Sequence, residues 1–209
     1  MNLLVIGASR GLGLQLVRQS VTAGHAVTAF ARRPENLLKE QERLRIIAGD
    51  ILEESKVREA MRGQEAVCLT IGAGVTLKPV TVFSRGTKNV LAAMSEHGVR
   101  RLICITGIGA GDSKGHGGFF YDRIFQPLLL KTIYQDKDRQ EALVRASGID
   151  WTIVRPGFLN NGPLTGQYLV ITDLTGVTAG KISRADVAHF MLTELSANRY
   201  LGQTPLLTY

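Results

Sequence analysis

The segment Gly7-Ala8-Ser9-Arg10-Gly11-Leu12-Gly13 has the residue types and spacing from which a chain builds an anion cradle out of backbone alone. Glycine at 7 permits a tight turn, and Gly11 and Gly13 let amide N–H groups and the following helix come close, so a pyrophosphate can rest on the positive helix end. The apolar run Leu3–Ile6 before it and the stripe Leu12, Leu16, Val17 and Val21 after it supply the strand and the helix such a turn requires. Ser9, Arg10 and Leu12 are therefore expected to join the three glycines at the cofactor. A second apolar run, Ala26–Phe30, leads into Arg32 and Arg33, where a dinucleotide fold selects its cofactor. A carboxylate there would accept from a ribose 2′-hydroxyl and repel a 2′-phosphate, whereas guanidinium groups pair with phosphate through charge-assisted bonds. With Arg10 on the same side, the expected cofactor is NADP(H).

Two further strand ends read as cofactor contacts. After the third apolar run, Asp50 is placed to accept from an adenine amino group while Ile51 packs on the ring; the alternative is that Asp50 caps a helix beginning near Glu53. After the fourth, Thr70, Ile71 and Gly72 offer a glycine-permitted approach to the ribose nearest the nicotinamide.

Positioning these groups requires strands that alternate with helices. The apolar runs Leu3–Ile6, Ala26–Phe30, Leu44–Ile47, Ala66–Ile71, Arg101–Thr106 and Trp151–Val154 lack the in-out alternation of half-exposed strands. They suit a parallel sheet covered on both faces. Helical periodicity lies between them, with stops expected at Gly98 and Gly148 and a cap at Ser183. The expected fold class is α/β, a single-domain Rossmann doubly wound parallel sheet over residues 1–209. Six glycines between Gly107 and Gly118 interrupt the pattern, so residues 107–132 are expected to form a variable substrate loop, either a lid or a surface excursion.

Composition narrows the partners. The net charge of +7 favours anions, yet the cations are dispersed and no aromatic stacking platform is visible, which speaks against nucleic acid. Cys68 and Cys104 each sit in an apolar run and read as reduced core thiols, and the four histidines lack metal-ligand spacing, so no metal is expected. The amino terminus lacks a signal-peptide pattern and no apolar run approaches the ~20 residues of a membrane span, so a cytoplasmic monomer without a membrane partner is expected.

The glycine turn, the segment Ala66 to Met94, the triplet Arg155-Pro156-Gly157, the run Pro163-Leu164-Thr165-Gly166-Gln167-Tyr168 and the tail Ile182–Leu192 together resemble the atypical short-chain dehydrogenase/reductase group. Within it, the likeness is to the biliverdin IXβ reductase and flavin reductase family. It spans nearly the whole chain and is weakest between Gly107 and Arg139. Three departures stand out. No tyrosine has a lysine four positions on, since Lys137 follows Tyr134 by three, so the usual proton-transferring dyad is missing. The family's serine after the strand-end threonine is replaced at Thr106-Gly107, and its histidine after the active-site proline by Phe158.

The resemblance implies an NADPH-dependent reductase that passes hydride to a flavin or a linear tetrapyrrole, a reaction whose proton can come from water. It implies that Thr106 binds near the nicotinamide, that Pro156 and Gly157 join the cofactor site, and that Gly107 and Phe158 substitute for the missing side chains through a backbone N–H and a stacking ring. Lys114, Arg123 and Lys131 are then expected to pair with propionates or a flavin phosphate, and His116 to approach with the loop. The alternative is a non-catalytic NADP(H)-binding sensor or scaffold of the same group.

Overall fold

The computed structural model describes residues 1–35, 37 and 42–209. Every expected apolar run forms a strand: β1 (Asn2–Ile6), β2 (Ala26–Ala31), β3 (Leu44–Ala48), β4 (Ala66–Leu69), β5 (Arg101–Ile105) and β6 (Asp150–Pro156). They pair in parallel in the order β3-β2-β1-β4-β5-β6. Burial on both faces explains the continuous apolar runs, as Leu3 and Leu4 point to opposite sides and neither has any exposure. Strand order reverses between β1 and β4, which opens a crevice at the carboxyl ends of those strands, where ligands of such sheets bind.

Two apolar layers flank the sheet. Helix α1 (Gly11–Thr22) and helix α5 (Arg184–Ala197) pack on one face with Leu16, Val187 and Met191; α2 (Glu54–Met61) and α3 (Val82–His97) cover the other with Met61, Val90 and Met94. Helix α4 (Lys131–Arg145) joins the second layer through Val144. Gly98 ends α3 in the left-handed region at φ 67°, and the Ser183 hydroxyl caps α5 by accepting from Asp186 N–H. Asp136 of α4, fully buried, accepts from the first-turn amides of Phe83 and Ser84, which fixes α4 against the positive end of α3. Cys68 and Cys104 are both free and buried.

Four short strands lie outside the sequence-based expectation: β7 (Phe158–Asn160), β8 (Leu169–Ile171), β9 (Lys181–Ser183) and β10 (Leu206–Thr208). Strand β10 extends the sheet beyond β6, β8 closes its edge antiparallel, and β7 pairs with β9 apart from it. Gly157 precedes β7 because a Cβ there would stand 2.3 Å from the Gly180 carbonyl oxygen.

The glycine-rich stretch differs from a free loop. Ile108, Ala110 and Ser113 are buried, and the Ser113 hydroxyl donates to Ala110 and accepts from Gly109 N–H. Its glycines serve compact turns, with Gly107 at φ 141° and Gly109 at φ 97°. Beyond it, Tyr121–Leu130 forms a π-helical segment that leads into α4. His116 is tied away from the strand ends, its Nδ1 lying 2.8 Å from Val177 O.

A buried ionic cluster joins α4 to the sheet. Arg155 of β6, with no exposure, donates to both carboxylate oxygens of Glu141 at 3.0 and 2.6 Å, and its other terminal nitrogen lies 2.6 Å from Asp112. Glu141 also accepts from the Thr106 hydroxyl at 2.7 Å. Removing one partner of such a cluster leaves a buried charge uncompensated. Glu141→Ala is therefore expected to cost about 3–5 kcal/mol in urea unfolding, and Asp112→Asn, whose carboxylate is mostly exposed, clearly less.

Candidate functional site

Three backbones meet at the start of the crevice. Gly7, at φ 90°, would drive a Cβ to 2.8 Å from Thr70 O, and a Cβ on Gly13 would reach 2.2 Å from Gly7 O and 2.6 Å from the Thr70 hydroxyl oxygen. Thr70 holds this contact by donating to Ile6 O at 2.8 Å, so its side chain braces the turn. The amides of Gly7 and Ala8 donate to Phe30 O, which closes the loop over β2. Helix α1 then starts behind Arg10, whose side chain makes no capping bond, and the first-turn amides of Gly11, Leu12 and Gly13 have no partner inside the helix. Such a terminus accepts an anion. Ser9 is half-buried within the turn, whereas the Leu12 side chain belongs to the core.

Arg184, the first residue of α5, was not singled out by the sequence pattern. Its Nε lies 3.5 Å from where a Gly11 Cβ would be, with the guanidinium donating to Asn161 at 2.8 Å. The signal available was only its place just after the Ser183 cap.

At the end of β2 the arginines stand as expected. Arg32 is exposed and 3.9 Å from Asp50, while Arg10 and Arg33 are exposed and have no ion-pair partner among the described residues. Ile51 departs from expectation, as does the alternative of Asp50 as a helix cap. Asp50 accepts from Leu52 N–H and closes a turn, while α2 begins at Glu54 behind Glu53, so Asp50 does not cap it. Ile51 is 4% exposed and packs against the Gly86 backbone of α3, which makes it core and not a platform for a ring. Ile71 is half-buried beside the Val80–Phe83 cluster, and Gly72 is exposed with open space around it.

The carboxyl end of β5 gathers groups that the sequence did not join. Tyr134, Lys137, Asp138 and Glu141 recur on α4 at intervals of three and four, one face of a helix, and that face meets the strand end. Glu141 binds Thr106, Lys137 Nζ donates to Thr106 O, Asp138 accepts from Gly111 N–H, and Tyr134 stands at Gly107. Thr106 is thus 2% exposed with its hydroxyl committed to Glu141, not free to face a ligand. A Cβ on Gly107 would come within 3.2 Å of the Tyr134 hydroxyl and 3.6 Å of Lys137 Nζ, and its φ disfavours any side chain. This accounts for glycine where the resembled family has serine. The signal overlooked was a polar stripe at helical spacing, because only the interval of four was sought.

The Tyr134 hydroxyl is bonded to that of Tyr121 at 2.8 Å, and the Tyr121 ring meets Phe158 edge to face at 5.1 Å. Burial raises the pKa of both tyrosines, so both hydroxyls keep their protons at neutral pH. The Lys137 ammonium lies over the Phe83 and Tyr134 rings, and desolvation lowers its pKa to about 8 against the pull of Cys104 and Glu141. Phe158 is 37% exposed, Pro156 is buried, and Gly157 donates its N–H to Leu207 O. Pro156 and Gly157 thus serve the backbone path around β6 and β10.

Lys114, Arg123 and Lys131 converge on one cleft of about 450 Å³, walled also by Tyr134 and Gln135. Lys114 is paired with Asp138 at 2.6 Å; Arg123 and Lys131 have no ion-pair partner among the described residues. Phe158 does not line this cleft, so the expected acceptor residues divide between its cations and the Tyr121–Phe158 edge. A second concavity, about 520 Å³, lies at the opposite end of the sheet beside Met1, Ala66 and Arg101 and is remote from the strand carboxyl ends.

Residues 7–198 match a family model described as NAD(P)H-binding. Among curated relatives, the uncharacterized sugar epimerase YhfK of Bacillus subtilis is 27% identical over 201 residues, covering 93% of this chain and 88% of that protein. Among solved structures, ChuY, an anaerobillin reductase from Escherichia coli O157:H7, superposes with a TM-score of 0.85 at 22% identity, covering 100% of this chain and 97% of that one. A short-chain dehydrogenase/reductase from Veillonella parvula in complex with NADP gives 0.84 at 18% identity, covering 100% and 94%. Both likenesses establish the fold.

The Lys137 environment has a consequence for stability. Below pH about 8 the ammonium is charged in folded and unfolded chains alike, and its desolvation counts fully against folding. That cost shrinks as pH rises and is gone above 10.5, the ordinary lysine value. The melting temperature of Lys137→Met minus that of the parent is therefore expected to fall steadily between these two pH values in thermal circular dichroism. A difference that does not change with pH would show that the ammonium carries no such penalty.

Proposed function

Because the chain belongs to the NAD(P)H-binding family, we propose that it is an NADPH-dependent reductase acting on a conjugated acceptor, a flavin or a linear tetrapyrrole. The observation that carries the reading is the Gly7–Gly13–Thr70 contact, whose interatomic space admits no Cβ, opening beside Arg10, Arg32 and Arg33. The backbone amides of the first α1 turn would hold the pyrophosphate, and Arg32 and Arg33 the 2′-phosphate. When bound, the dihydronicotinamide supplies a hydride, two electrons with one proton.

The chain's own residues then serve position and charge. The protonated Tyr134 hydroxyl stands over Gly107, and the Lys137 ammonium sets a positive potential at the end of β5 that persists below pH about 8. The Phe158 and Tyr121 rings offer an apolar edge, and Arg123 and Lys131 lie ready for an acceptor's carboxylates or phosphate. Holding the reacting atoms together can supply about 7–11 kcal/mol of the barrier without a dedicated acid. The ChuY and Veillonella parvula superpositions support a reductase and NADP, respectively.

A second reading, a non-catalytic NADP(H) sensor or scaffold, draws on the commitment of the Thr106 hydroxyl, the Tyr134 hydroxyl and the Lys137 ammonium to protein partners. Fluorescence titration and turnover separate the two. NADPH is expected to bind at least about tenfold tighter than NADH, Arg32→Gln with Arg33→Gln to remove most of that preference, and Gly13→Ala to abolish binding of both cofactors. Loss of absorbance at the nicotinamide band with FMN or biliverdin supports the reductase. Tight NADPH binding with no oxidation by either acceptor would favour the sensor, and equal affinity for NADH and NADPH would sink the cofactor assignment.

A further inference from the structure

The segment Phe119–Leu130 is anomalous for a helix beside a core: none of Tyr121–Leu130 is buried, and Phe119, Phe120, Phe125 and Leu128 are each more than half exposed. The loop after β4 adds Val75 and Leu77, exposed by 68% and 74%. A bond from the Thr132 hydroxyl to Thr76 O at 3.2 Å ties the two stretches into one apolar rim. Contiguous exposed apolar surface of this kind marks a contact site.

We infer that this rim docks on an anionic bilayer surface and lies on it without crossing it. Charge selects that occupant. The stretches 75–78 and 114–131 carry the cations Lys78, Lys114, Arg123 and Lys131 against one acid, Asp122, with Asp138 nearby already paired to Lys114. A second copy of the chain packed symmetrically would set these cations against their own images, which is repulsive. An anionic headgroup layer instead neutralises them while aromatic and leucine side chains enter the acyl boundary, the pattern of an interfacial helix. Among the described residues no helix is long and apolar enough to cross a membrane, and ten π-helical residues suit only an in-plane contact. The inference departs from the sequence expectation of no membrane partner, which rested on the signal-peptide and membrane-span patterns alone, and does not depend on the reductase reading.

Sedimentation of the intact protein with vesicles tests it directly. Binding is expected to equimolar phosphatidylglycerol–phosphatidylcholine vesicles, weakened by salt, and little to phosphatidylcholine alone. Phe120→Ser with Phe125→Ser should lower it at least about tenfold, and Arg123→Gln with Lys131→Gln about 30-fold. These side chains are exposed, so circular dichroism should report unchanged folding. Failure to sediment with either vesicle, or equal binding to both that survives both double variants, would overturn the proposal. A concentration-dependent dimer that the phenylalanine substitutions dissolve would assign the rim to a second copy instead.

Discussion

The contact between the start of α1, the turn after β1 and the end of β4 governs the rest of the architecture. Gly13 stands against Gly7 O and Thr70, and no larger residue fits. Because α1 can approach only there, its amino-terminal amides point into the crevice at the strand reversal, and the end of β2 with its arginines comes alongside. The helix dipole and unpaired amides thereby face the place proposed for the pyrophosphate, and the guanidinium groups that proposed for the 2′-phosphate. Separately none of these is unusual; the close packing of three backbones makes them one site.

A second constraint works at the far side of the crevice. Arg155, Glu141 and Thr106 form a buried ionic and hydrogen-bonded link between β6, α4 and β5, and Lys137 is tied to the same strand end through the Thr106 carbonyl. Burying charge is unfavourable unless it is paired, so this link holds the α4 face in one register over Gly107. The burial of that link contrasts with the exposed segment just upstream, where no side chain of Tyr121–Leu130 is buried.

Much of the fold was legible because parallel strands covered on both faces must be apolar throughout. All six central strands, the Gly98 stop and the Ser183 cap follow from that rule and from capping chemistry. The short strands β7 to β10 were not legible, since three residues carry no period. Glycine content misled where glycine serves compact turns: Gly107 and Gly109 adopt positive φ inside a buried stretch that reads as a mobile loop. Of the expected site residues, Gly7 and Gly13 make the close backbone approach that their type implies, while Gly72 faces open space, Ile51 and Thr106 have side chains taken by nearer partners, and one Asp50 oxygen accepts from Leu52 N–H. Such competition is decided by three-dimensional neighbours such as Leu52 N–H, Gly86 and Glu141.

The tight space between Gly107 and the Tyr134 hydroxyl also links two positions 27 residues apart in the chain. A side chain at 107 would press on the phenol, which must give by a few tenths of an ångström, and it would sit at a φ of 141° that residues with a Cβ rarely adopt. The cost of a residue at either position therefore depends on what stands at the other, since they share one contact.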